Sequence, residues 1–396
     1  MKVVIVTKRT LAHGFGGVEG YVHHMARAIA ALGHELVVLA TAHPTRTTVT
    51  ECEGYRVEYL AGTEPGVYSE AFWRASAAAV FRHRPYALLY STNISGYGAA
   101  MAGVPGPHLV WSTGRMLTHL RSEWYDRAGV RAMAGYPKAA LALCYYAWLE
   151  RRLHRRVDAI VAEDDRTYEA LRRRGWPVRL LHTGVDTARF RPDPALRAET
   201  RASLGIPADG EVLLMAAAVN RQKGIALGVE AFLRLAVSRP HLHLVVVGDG
   251  PERRRLETTA NARAAGARAR FVGARPDASM PRYHAAADVL LYPTYRAEGV
   301  PRAILEAMAS GVAVVATDRG GVGTAVWDGD TGVLLPRPSA ALVESVVAGL
   351  LNDPARRRTL GERAVAAARQ RFDLHMTATA LLEAADATRN LLLGRA

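Results

Sequence analysis

The chain has 396 residues, 49% hydrophobic and 22% charged, a balance that excludes a largely disordered protein and a length that exceeds one ordinary compact core. Against 37 Asp and Glu stand 51 Lys and Arg, a formal net charge of +14 that favours anionic partners: nucleic acid, an acidic membrane surface or phosphorylated small molecules. Two cysteines, Cys52 and Cys144, are too few for a disulfide framework or a multi-cysteine zinc site, and the longest uncharged apolar stretch, Ala139 to Leu149, falls well short of the ~20 residues of a membrane span.

In chain order, short β-branched runs alternate with Ala/Arg/Leu stretches of helical period. The opening run Met1–Thr7 is too brief for a secretory signal, so a reducing, cytoplasmic location is expected. Expected strands are Lys2–Val6, Glu35–Ala40, Ala87–Tyr90, His108–Trp111, Ala159–Ala162 and Val178–His182. A second series follows at Val212–Ala216, His241–Val247, Arg270–Val272, Val289–Tyr292, Ala313–Ala316 and Gly332–Leu335. Runs such as Leu244–Val247 are apolar on both faces, as parallel strands covered by helices on each side must be. Two β-α-β series predict an α/β fold of two doubly wound domains. The break is expected in Asp186–Gly210, which carries Pro192, Pro194 and Pro207 and three aspartates. Beyond Asp353-Pro354, Ala355–Gln370 and Leu374–Leu393 read as helices with no strand between them.

Several segments carry chemistry. Gly14–Gly20, after the first strand and before the helix Val18–Leu32, is either a phosphate approach or a flexible loop, and it does not fit G-x-G-x-x-G. Pro137–Arg156 gathers Tyr145, Tyr146 and Trp148 beside Arg151, Arg152, His154, Arg155 and Arg156. Such a helix suits peripheral contact with an acidic bilayer, or packing of its aromatics on a neighbouring domain. Asn220–Gly224 follows a strand and holds Arg221 and Lys223; Lys223 is a point charge suited to a leaving diphosphate. Val247–Pro251 reads mainly as a structural turn.

The strongest segment is Glu298–Ala309. A buried strand and a loop lead to Gly299, where backbone can approach a ligand, and to Pro301, suited to the first helical position. The loop ends in free amides at a helix start, a site for phosphate, bracketed by the carboxylates Glu298 and Glu306.

The pair Glu298 and Glu306, the run Glu306–Thr317, the segment Asp328–Gly332, Thr183–Asp186 with Phe190, and Gly16–Glu19 with Leu32–Glu35 together resemble the retaining glycosyltransferases of family four. The resemblance spans nearly the whole chain and implies the GT-B architecture: two Rossmann-like domains facing across a cleft. Residues 1–187 would form the acceptor-binding domain, joined by about 375–396 crossing back as a final helix, and 188–374 the nucleotide-sugar domain. It further implies that Glu298 contacts hydroxyls of the donor sugar and Glu306 those of the ribose. Amides around Gly299, Val300 and Pro301, with Lys223, would hold the diphosphate. Gly16 and Gly17 would approach the donor, and Ala274 and Arg275 would lie on the loop that meets the base. The acceptor would be a saccharide, a lipid-linked saccharide or a small molecule, with no nucleic-acid partner and no cofactor beyond the UDP- or GDP-linked sugar.

Breaking the bond from sugar to diphosphate leaves negative charge that amides, Lys and Arg stabilise directly. Protein cations can neutralise that charge, so metal-independent transfer is expected, with retention by same-face attack as the resemblance implies. Two positions depart from the family pattern. Ala218 stands where an Arg is usual, leaving Arg221 or Arg302 to substitute, and Gly114 stands where a His is usual, with His119 a few residues on. His119 reads as a substitute or as an ordinary surface histidine. The departures motivate a rival reading, a GT-B-shaped nucleotide-sugar-binding or scaffold protein without catalysis.

Overall fold

The computed structural model describes residues 1–14, 16–112 and 136–394. The chain divides into two compact units. The first comprises the described residues from Met1 to Ser112, Lys138–Gly184, and the chain from Leu374 onward; the second comprises Val185–Asp373.

The first unit is built on strands β1 (Lys2–Val6), β2 (Glu35–Thr41), β3 (Val49–Cys52), β4 (Tyr55–Leu60), β5 (Leu88–Thr92), β6 (His108–Ser112), β7 (Ala159–Ala162) and β8 (Val178–Leu180). They form an eight-stranded sheet in the order β3-β4-β2-β1-β5-β6-β7-β8, parallel except for β3 on β4. Its helices are α1 (Gly17–Ala31), α2 (Glu70–Arg82), α3 (Tyr97–Met101), α4 (Tyr136–His154) and α5 (Asp165–Arg172). Ser69 starts α2 by accepting from Phe72 N at 3.2 Å, and Asp164 starts α5 by accepting from Thr167 N at 2.8 Å.

The second unit carries β9 (Glu211–Ala216), β10 (Leu242–Val247), β11 (Ala269–Gly273), β12 (Val289–Tyr292), β13 (Ala313–Thr317) and β14 (Val333–Leu335). These form a parallel sheet in the order β11-β10-β9-β12-β13-β14. Its helices are α6 (Pro194–Ser203), α7 (Ile225–Leu235), α8 (Arg253–Asn261), α9 (Met280–Ala286), α10 (Arg302–Ala309), α11 (Val322–Ala325), α12 (Ala340–Asn352) and α13 (Pro354–Arg371). Every residue of β10, β12 and β13 is buried, because helices cover both faces of the sheet in two separate apolar clusters. The last helix, α14 (Leu374–Leu393), packs in the first unit: Leu374, Ala378, Leu381 and Ala385 share a core with Tyr21, Met25 and Ile29 of α1.

Two details differ from the sequence reading. Strand β3, with Thr50 and Glu51 at its centre, and its partner β4, interrupted by Arg56 and Glu58, escape a search for continuous apolar runs. The stretch Asp186–Gly210, expected as a break, contains α6: Asp193 accepts from Leu196 N at 2.9 Å and Pro194 occupies the first turn. Arg197 and Arg201 each reach an oxygen of Asp288 at 2.7 Å, and Asp288 also accepts from Val212 N, so α6 is fastened to the sheet beside β9 and β12. Among the described residues, no helix is long and apolar enough to cross a membrane.

Candidate functional site

In the second unit, the strand order reverses at β9: β10 lies on one side and β12 on the other. Open α/β sheets bind ligands outside the carboxyl ends of strands at such a reversal. Two loops leave the sheet there, residues 217–224 after β9 and 293–301 after β12.

The loops are stitched together. The Gln222 carbonyl accepts from Tyr295 N at 2.8 Å and from Thr294 Oγ1 at 3.1 Å. Asn220 caps the turn Arg221–Lys223 by accepting from Lys223 N at 3.1 Å. Gly224 has φ +68°, and a Cβ there would lie 2.0 Å from the Pro293 carbonyl oxygen, so only glycine lets the loops abut. The turn at Gly248–Gly250 has a supporting part, with Val219 N donating to the Asp249 carbonyl at 2.9 Å.

This junction brings Lys223 and Glu298 together. Lys223 Nζ donates to Glu298 Oε1 at 2.7 Å and Oε2 at 2.5 Å, and to the Tyr292 hydroxyl at 2.9 Å. Tyr292 donates to Glu298 Oε1 at 2.8 Å, closing a triangle. The Lys223 and Glu298 side chains are 15% and 19% exposed, enough for a ligand to reach both. Burial alone would raise the Glu298 carboxyl, but the charges of Lys223 and Arg296 and the hydrogen bonds from Lys223 and Tyr292 hold it below its ordinary value. Burial first, and then the Glu298 charge, push the Tyr292 phenol well up, so it stays a donor. The Glu298 backbone is gripped from behind: Gly321 N donates to its carbonyl at 2.7 Å, and a Cβ on Gly320 (φ +56°) would fall 2.0 Å from that oxygen.

Gly299 and Val300 are buried and lead into α10. Pro301 occupies the cap position rather than the first helical one, with φ −68° and ψ 125°, and Arg302 begins the helix. Ile304 N already donates to the Pro301 carbonyl at 3.0 Å, which leaves the amides of Arg302 and Ala303 at the positive end of the helix dipole.

Glu306 is held differently. Its side chain is 7% exposed; Oε2 accepts from His284 Nε2 at 3.1 Å and Oε1 from Arg302 at 3.0 Å. Arg302 also meets Asp277 at 3.2 Å, which Arg189 meets at 2.5 Å. Burial opposes ionisation of Glu306, yet Arg302 and His284 outweigh it and hold the carboxyl below its ordinary value. Predicted residues Glu306 and Arg302 are thus bonded to each other.

The other expected residues lie as follows. Arg221 adjoins Lys223 but is exposed, with no ion-pair partner among the described residues. Ala274 and Arg275 are exposed after β11, and Ala218 is exposed after β9. Gly16 caps α1 and Gly17 opens it, both exposed, in the first unit. His119 and Gly114 lie outside the described residues. Sequence reasoning missed Tyr292, Asp277 and His284. Tyr292 left a signal, a hydroxyl at the exit of an apolar strand that points at the site loop.

Comparison with known proteins follows the same division. The family model described as glycosyl transferases group 1 matches residues 197–366, and that described as Glycosyltransferase Family 4 matches residues 15–189. A D-inositol 3-phosphate glycosyltransferase of Acidothermus cellulolyticus is 30% identical over 399 residues, covering 93% of this chain and 84% of that protein. A GDP-mannose-dependent alpha-(1-6)-phosphatidylinositol monomannoside mannosyltransferase of Mycolicibacterium smegmatis is 33% identical over 187 residues, covering 46% of this chain and 49% of that protein. Among solved structures, a sucrose-phosphate synthase from Thermosynechococcus elongatus superposes with a TM-score of 0.78 at 23% identity, covering 99% of each chain. That likeness establishes the GT-B fold for the chain.

Proposed function

Because the chain belongs to glycosyltransferase family four, the glycosyl transferases group 1, we propose that it moves a hexosyl group from a UDP- or GDP-linked sugar to a hydroxyl of a saccharide, lipid-linked or small-molecule acceptor. The observation that carries this reading is the Lys223–Glu298–Tyr292 triangle, standing where β9 and β12 diverge and directly before the α10 amides.

The chemistry follows from where charge develops. As the bond between the sugar carbon and the diphosphate oxygen breaks, electrons pass to the phosphate and the sugar becomes oxocarbenium-like. Lys223 Nζ and the first amides of α10 stabilise the departing diphosphate, and the anionic Glu298 accepts hydrogen bonds from sugar hydroxyls. Tyr292 fixes the carboxylate so that little reorganisation is needed during transfer. Glu306, with Arg302 and His284 already on it, presents its remaining acceptor capacity to the ribose hydroxyls. Arg221 adds a mobile cation beside Lys223, and Ala274 with Arg275 meets the base.

The leaving diphosphate is neutralised by protein cations and amides, so transfer proceeds without a metal. Same-face attack, with the leaving phosphate taking the acceptor proton, gives retention without a protein base. Incubating the protein with UDP- and GDP-sugar panels, with and without EDTA, tests this. Nucleotide release and an anomer matching the donor are expected in both arms. Strict dependence on magnesium, or an inverted product, overturns the mechanism, and the absence of release with every donor overturns catalysis in favour of a scaffold.

A further inference from the structure

The first unit holds a second concave surface that donor chemistry does not use. It is a recess of about 380 Å³ lined by Tyr68, Trp73, Tyr97, Tyr145 and Trp148, with Glu70 in its wall. Tyr68 stands before the Ser69 cap of α2, Trp73 in the first turns of that helix, and Tyr97 at the start of α3. Tyr145 and Trp148 come from α4, which joins the same face of the sheet through buried Leu149. Tyr68 and Tyr97 follow the carboxyl ends of β4 and β5, the sheet edge where α/β folds place ligands.

The aromatic side chains divide into two kinds. Trp73 is buried and inclined at 59° to Tyr97, 5.1 Å away. Tyr145 and Trp148 are instead 48% and 51% exposed, and their rings run near parallel at 25°. Arg152 lies 4.8 Å above Trp148 and 6.0 Å from Tyr97, which fixes the indole on one side. Two half-exposed aromatic rings at a concave surface suit an occupant with a flat apolar face.

Its edges must be polar. Glu70 presents a carboxylate whose ion pair with Arg74, at 3.4 Å, is largely exposed and weak. A purely apolar aglycone would desolvate Glu70 and Arg152 without replacing their hydrogen bonds, and an acidic bilayer would meet the Glu70 charge at a concave surface. Trp73 adds a buried Nε1–H with no acceptor among the described residues. A pyranose meets both demands, with C–H groups on its faces and hydroxyls around its rim.

We propose that this recess binds a pyranose ring of a saccharide acceptor, with a C–H face on Tyr145 and Trp148 and hydroxyls on Glu70 and Arg152. That the occupant is an acceptor rests on the transferase reading above. Saturation-transfer NMR and calorimetry on the full chain test it, using the methyl glycosides of glucose, mannose and galactose and using maltotriose. The wild type should bind at least one of them, with affinity lowered roughly tenfold in Trp148→Ala and lowered also in Glu70→Gln. Both side chains are exposed, so both variants should keep the wild-type thermal shift with UDP or GDP. Failure of every saccharide to bind the wild type overturns the proposal. So does equal binding by Trp148→Ala, or a Trp148-dependent attachment to phosphatidylglycerol vesicles in place of sugar. A wild type that binds saccharide but shows no shift with either nucleotide overturns the donor reading and leaves the recess standing.

Discussion

Lys223→Met keeps most of the side-chain volume while deleting the ammonium that gives Glu298 two hydrogen bonds and Tyr292 one. Two effects follow, and they separate experimentally. The Glu298 carboxylate keeps only the Tyr292 hydroxyl at 2.8 Å and the field of Arg296, while burial still opposes its charge, so its pKa rises. Breaking a fully buried pair costs about 3–5 kcal/mol, and this pair is partly open to water, so a loss of about 1–3 kcal/mol is expected. In a unit of this size that is roughly 2–4 °C in Tm for each kcal/mol. The second effect is on transfer. Removing one preorganised contact to developing charge costs about 10²- to 10³-fold in kcat. Chromatographic quantification of released nucleotide gives the rate, and thermal denaturation gives the stability. Because the partners share bonds, the stability losses of Lys223→Met and Glu298→Gln should fail to add in the double variant, by at least about 0.5 kcal/mol. A Lys223→Met enzyme retaining kcat/KM within about threefold of wild type would refute the reasoning.

Gly320→Ala should lower kcat without removing any chemical group, because its Cβ would sit 2.0 Å from the Glu298 carbonyl oxygen and must displace that residue; unchanged kinetics would show that Glu298 tolerates movement. Gly224→Ala, with its Cβ 2.0 Å from the Pro293 carbonyl, should separate the two site loops and abolish the thermal shift given by UDP or GDP, and a preserved shift would count against their junction forming the site. Burial lowers His108, hydrogen-bonded to Ser91 at 2.8 Å, from 6.5 to about 3, so it stays neutral in the fold while the unfolded chain takes up a proton. Its stabilising contribution is whole above pH 6.5 and falls away as pH drops from 6.5 towards 3, by on the order of 5 kcal/mol. Denaturation curves from pH 7.5 to 4.5 should show this slope, shallower in His108→Gln; identical slopes would place the acid sensitivity elsewhere.

Much of this architecture was legible because parallel strands buried on both faces leave uninterrupted apolar runs, as in Leu244–Val247. What escaped was whatever depends on residues distant in sequence or on mixed signals. The prolines of Asp186–Gly210 read as breakers, yet Asp193-Pro194 is a helix start, and Arg201 reaching Asp288 makes α6 part of the unit. Strand β3 is short, carries Thr50 and Glu51 and has no buried residue, because it lies at a sheet edge. At the site, the nearness of Lys223 and Glu298 could be anticipated, since both follow strands that pair. The Glu306 surroundings could not: Arg189, Asp277 and His284 come from separate elements, and only the folded chain reveals that they converge.

The most direct test is a crystal structure with UDP or GDP bound. The account predicts diphosphate oxygens within hydrogen-bonding distance of Lys223 Nζ and of the first amides of α10, with the ribose against Glu306. A nucleotide seated elsewhere, or with its diphosphate away from both Lys223 and the helix start, would contradict it.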